Sequence, residues 1–83
     1  MKLASVYAKN KSKVLYYGKE TEKARKIARD ARGMAILRTY ILIDSEKGRI
    51  KLITEEYHNG THLNTATSHL EDTVVAEAIF HSK

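Results

Sequence analysis

ILRTYILI, residues 36–43, is the most apolar run in the chain, and its two sides decide the fold. In an extended strand, successive side chains point to opposite faces. Leu37, Thr39, Ile41 and Ile43 then point one way, and Ile36, Arg38, Tyr40 and Leu42 the other. Both sides are largely apolar, which predicts a central strand covered on both faces.

Downstream, Asp44-Ser45-Glu46-Lys47-Gly48 reads as a hairpin loop ending in a glycine bulge. RIKLITEEY, residues 49–57, returns as a strand with Ile50 and Leu52 on one side and Lys51 and Ile53 on the other. Asn59-Gly60 is the strongest short hairpin signal, and THLNT, residues 61–65, follows as a short polar edge strand. Ser68-His69-Leu70-Glu71 has the S-x-x-E form of a capping box. Leu70, Val74, Val75, Ala78 and Ile79 recur at helical spacing, but TVVAEAIF, residues 73–80, also alternates. Helix is the favoured reading there, with strand as the competitor.

Upstream, LASVYA (3–8) and VLYY (14–17) flank the polar turn KNKSK, which predicts a hairpin. Gly18 closes it. Thr21 is a candidate N-cap, with Glu22 in the first turn where the helix dipole favours negative charge. Ala24, Ile27, Ala28 and Ala31 follow the i, i+3, i+4, i+7 rule, and Gly33 stands where a helix should stop. The order is therefore ββαβββα across residues 1–83. It describes one small α+β domain, an antiparallel sheet packed by a helix in the N-terminal half and by a C-terminal helix.

A chain of 83 residues buries only roughly 60–65% of its extended surface, so a second copy would help stabilise it. If the helices cover one sheet face only, Ile36, Tyr40 and Leu42 are left bare as a homodimer interface. Burial of the same face under the C-terminal segment is the equal alternative. Cysteine is absent, which excludes disulfides and thiolate metal sites and fits a reducing, cytoplasmic interior. No apolar run reaches signal-peptide or membrane-span length, so no membrane partner is expected.

The net charge of +5 is uneven: residues 1–38 carry +8 and residues 39–83 carry −3. The basic run TEKARKIARDARG, residues 21–33, dominates the first half. At about 100° per residue, Arg25, Arg29 and Arg32 form a stripe on the helix without an acidic neighbour on their own side. Guanidinium forks suit phosphate oxygens. Lys9, Lys11 and Lys13 crown the first hairpin, and Tyr16 and Tyr17 offer faces on which bases can stack. Against this stands the ordinary reading of a solvated helix face, since surface helices commonly carry Lys and Arg opposite their buried side.

Other chemistry finds little support. His58, His62 and His69 cluster around the second hairpin, but their spacing matches no zinc pattern. No nucleophile elbow or Gly-rich phosphate loop occurs, and adjacent Glu55 and Glu56 face opposite sides of a strand. No catalytic residue, metal or cofactor is assigned.

The expectation is a small non-enzymatic binding protein, in an accessory or regulatory role, whose basic first half contacts a nucleic-acid phosphate backbone. The alternative is a protein-binding module or inhibitor of a partner enzyme, acting through an exposed sheet face or edge. In size and style the chain resembles small accessory proteins of phages, plasmids and archaeal viruses.

Overall fold

The computed structural model describes residues 1–9 and 12–81. The elements are β1 (Lys2–Ala8), β2 (Lys13–Gly18), α1 (Thr21–Asp30), β3 (Met34–Asp44), β4 (Arg49–His58), β5 (Thr61–Glu71) and α2 (Thr73–Phe80). The ββαβββα order of the sequence reading stands, and residues 73–80 are helical. The strands form one antiparallel sheet in the order β2-β1-β3-β4-β5, so the ILRTYILI strand is central.

α1 packs on one face of the sheet through alanines. Ala24 and Ala28 are fully buried against Ala4, Val6, Ala35, Leu37 and Tyr57. With no side chain beyond Cβ, those alanines let the helix lie close to the strands. Burial of Leu37 and Val6 contributes about 1.5–3 kcal/mol each. In β2 the register skips Leu15, because Val6 faces Tyr16 while Tyr7 faces Val14. This bulge brings both Leu15 and Tyr16 toward the α1 core.

Among the described residues, the opposite face is covered only at one end. Leu42, Ser45 and Glu46 share a cleft with Thr73, Ala76, Glu77 and His81 of the α2 segment, and Phe80 lies beside Leu3. Ile50, paired between Leu42 and Leu70, is fully buried there. Farther along the same face, Ile36, Tyr40, Leu52 and Thr54 are half-buried and Arg38 is exposed. The expectation of a central strand covered on both sides is thus corrected. An eight-residue helix is about 12 Å long and cannot span this sheet.

Three boundaries also move. The α1 N-cap is Glu20, not Thr21: its carbonyl accepts the first helical bond from Ala24, and its side chain makes no cap. The last strand is not a short THLNT segment, since β5 continues to Glu71 in register with β4. Ser68 and Glu71 therefore form no capping box. Glu71 instead accepts from Arg49 at 2.6 Å, and Asp72 caps α2 by accepting from the Val74 and Val75 amides. Asp44 organises its loop by accepting from the Glu46 and Lys47 amides. Gly48 closes that loop at φ +65°, where an added Cβ would lie 2.6 Å from the Asp72 backbone.

Candidate nucleic-acid interface

The arginine stripe does not survive folding as a unit. Arg25 sits on the flank of α1 that borders its buried alanines, and its guanidinium reaches Glu55 of β4 at 3.3 Å and Glu22 at 3.4 Å. Tyr57 donates its hydroxyl to the other Glu55 oxygen at 2.8 Å. Burial pulls the Arg25 pKa down, but the hydrogen bond and charge of Glu55, helped by Tyr57 and Glu22, outweigh it and the net shift is upward. Burial likewise pushes the Tyr57 hydroxyl up, and the bond to Glu55 adds to that rise while Arg25 opposes it. Arg25 is a structural cation, contrary to the expectation of a stripe without an acidic neighbour. Arg32 leaves the helical stripe for a different reason: α1 ends at Asp30, and Ala31 is already extended.

Arg29 and Arg32 remain exposed, and among the described residues no carboxylate lies within ion-pair distance of either. Both sit at one end of the molecule, held there by the β4–β5 hairpin. Asn59 and Gly60 take φ of 49° and 86°, the two left-handed residues of a tight turn. The Asn59 side chain accepts from the Gly33 amide at 2.7 Å, and the Asn59 amide donates to the Gly33 carbonyl at 3.0 Å. Gly60 lies against the Arg29 carbonyl, 2.7 Å from where a Cβ would stand. This end also receives the β1–β2 turn, since Ala8 pairs with Lys13 on one side and Ala35 on the other. Lys9 and Lys13 are exposed there, while Lys11 lies outside the described residues. The far end carries Asp44, Glu46, Glu71, Asp72 and Glu77, around α2 and the β3–β4 loop.

The two tyrosines of β2 separate. Tyr16 faces the α1 core, receives the Glu20 amide on its hydroxyl at 3.2 Å, and has the Lys23 ammonium 5.8 Å from its ring centre. It is not a stacking surface. Tyr17 is 60% exposed and points to the open face, beside Ser5. Continuing across that face, Ser5 pairs with Arg38, and Arg38 with Thr54. The next row holds Val14, Tyr7, Ile36 and Glu56. Ser5, Tyr7, Val14 and Arg38 line a shallow groove. Of the expected interface residues, Ile36 and Tyr40 lie on this open face, whereas Leu42 adjoins α2.

Sequence reasoning passed over Arg38 and Tyr7. The signal for Arg38 was one charged residue inside an otherwise apolar strand, on the side shared with Ile36 and Tyr40. No carboxylate lies within ion-pair distance of Arg38 among the described residues, and Glu56 is its diagonal neighbour on the same face.

The histidines do not converge. The His62 ring packs at a 50° tilt against Tyr57, centres 5.4 Å apart, and bonds Thr65 at 2.6 Å, while His58, next to Tyr57 in β4, alternates to the other face. Among the described residues no group of three His, Cys, Asp or Glu is placed to hold a metal. No helix there is long and apolar enough to cross a membrane. No protein-family model, curated protein or solved structure matches the chain.

Proposed function

We propose that this is a small non-enzymatic protein that binds single-stranded nucleic acid, in an accessory or regulatory role. One observation carries the reading: among the described residues Arg38 has no carboxylate partner, and it stands in the middle strand on the open part of the sheet face, with exposed Tyr7 on its diagonal and exposed Tyr17 across Ser5 in the same row. Aromatic faces on an open sheet stack bases, and an arginine on the neighbouring strand serves phosphate or base. Lys9, Lys13, Arg29 and Arg32 at the adjoining end supply the salt-sensitive contacts to the backbone. The contact surface therefore shifts from the α1 stripe toward the open face and the basic end.

The experiment is a fluorescence-anisotropy titration with labelled single-stranded and duplex oligonucleotides over a series of salt concentrations. Affinity for the single strand should fall steeply with salt and exceed that for the duplex. Binding that is absent, or flat across the series, counts against the reading.

A second reading keeps the same face but gives it a protein partner, as in an inhibitor of a partner enzyme. Half-buried Ile36, Tyr40 and Leu52 favour it, because apolar and aromatic side chains mark the centres of protein interfaces. Co-purification with a protein, free of nucleic acid after a high-salt wash, separates the two.

A further inference from the structure

The two edges of the sheet are built differently. β2 is short, bulged at Leu15, and bordered by Lys9, Lys13 and Lys19. Those are the devices by which natural sheets prevent edge-to-edge pairing. β5 is neither short nor bordered by lysine, and its bulge is confined to the turn end. It runs 11 residues without proline, and from Asn59 to Leu70 the sequence carries no Asp, Glu, Lys or Arg. Its one irregularity is a register shift near the turn, beyond which Asn64 to Glu71 pair with β4 without interruption.

β5 is also poorly housed in the single chain. Residues 61–69 are all exposed, although alternate ones point to opposite faces, so among the described residues nothing covers either face of this stretch. What holds it runs to β4: the ladder, His62 against Tyr57 and the Arg49–Glu71 pair. An edge strand leaves the outward half of its amides and carbonyls without a sheet partner.

We propose that β5 is the pairing strand of a homodimer, in which two β5 strands meet antiparallel about a two-fold axis and join two five-stranded sheets into one of ten. Charge selects the second copy as occupant. On a chain of net charge +5, this uncharged edge is where two copies approach without lysine meeting lysine. Thr65, Ala66 and Thr67 present small and β-branched side chains that suit close cross-strand pairs. Self-pairing of β5 closes after two copies. Pairing of β5 with β2 would instead continue without limit, and the lysines and bulge of β2 block that route.

A two-fold axis perpendicular to the sheet puts both α1 layers on one side and both open faces on the other. The dimer therefore stands independently of nucleic-acid binding, and each is tested apart.

Light scattering coupled to size exclusion, across a wide concentration range, tests it. The wild type should show about twice the 9.4 kDa chain mass, without bound nucleic acid by absorbance ratio. The double variant Thr65→Lys/Thr67→Lys should run at the single-chain mass with an unchanged circular-dichroism spectrum. Arg38→Glu, on the open face, should leave the dimer intact. A wild type at single-chain mass throughout, a larger assembly, or a dimer that survives both lysines overturns the proposal. Hydrogen exchange gives a reading on the wild type alone: alternate β5 amides should gain protection as concentration rises, and fast exchange at every concentration overturns it too.

Discussion

Arg25 and Glu55, 30 residues apart in sequence, meet at 3.3 Å across the gap between α1 and β4, and Tyr57 donates to the second oxygen of the same carboxylate. The pair takes one arginine out of the basic surface and uses it to fasten the helix layer to the sheet. Its carboxylate is mostly shielded, with 13% of the side chain exposed. Removing it strands a cation and a buried hydroxyl together. Glu55→Ala should lower the unfolding free energy by about 1–3 kcal/mol, measured by urea denaturation. An unchanged midpoint would show that the contact contributes nothing.

The same cluster sets a response to alkali. The Tyr57 hydroxyl has a higher pKa in the folded chain than its ordinary 10.0, so the folded state holds this proton more tightly than the unfolded one. The stability it contributes is complete below the unfolded value and is lost as pH rises through the folded value. Thermal unfolding followed from neutral pH upward should show Tm falling above about pH 10. Tyr57→Phe should start from a lower Tm and lose less over that interval.

Gly60 fixes the joint between the β4–β5 hairpin and the last turn of α1. Its φ of 86° and the Arg29 carbonyl beside it both exclude a side chain. Gly60→Ala should cost about 1–3 kcal/mol by chemical denaturation. Asn59→Ala, which loses the bond to the Gly33 amide, should fall in the same range.

Thr39 lies in the central strand on the α1 side, and among the described residues its buried hydroxyl has no hydrogen-bond partner. Thr39→Val keeps the shape and removes the unsatisfied oxygen. The variant should gain about 1 kcal/mol of stability, seen as a raised Tm. A lower Tm would mean that the hydroxyl makes a contact in solution.

Binding variants separate the open face from the helix stripe. Tyr17→Ala should weaken single-strand affinity by about 1–3 kcal/mol and leave stability nearly unchanged. Arg38→Ala should weaken it as well, whereas Arg25→Ala should act mainly through stability. Equal losses in affinity for Arg25→Ala and Arg38→Ala, at full folding of both, would return the contact surface to the helix.

The local parts of this fold were legible because each has a short-range cause. Asn59-Gly60 forced a tight turn, the alanine spacing forced a helix close to the sheet, and ILRTYILI could only be central. Ser68 to Glu71 misled because a four-residue motif competes with the β4 ladder, and the ladder over Ser68–Glu71 with the Arg49–Glu71 pair outweighs a cap that Asp72 supplies one residue later. The stripe misled because helical angles say nothing about a carboxylate on another element. Tyr16 and Tyr17 show the same limit: composition names two aromatics, and the bulge at Leu15 together with the strand pleat decides which one sees solvent.

The strand order has a kinetic consequence. β1–β2, β3–β4 and β4–β5 are hairpins closed by neighbours in the chain, so each forms from contacts of short range. Only β1 against β3 must wait for a stretch containing a whole helix to fold back, and that seam joins the two halves of the sheet. Folding speed is therefore governed at this single suture: slackening the α1–β3 connection should delay the native state while leaving all three hairpins free to zip.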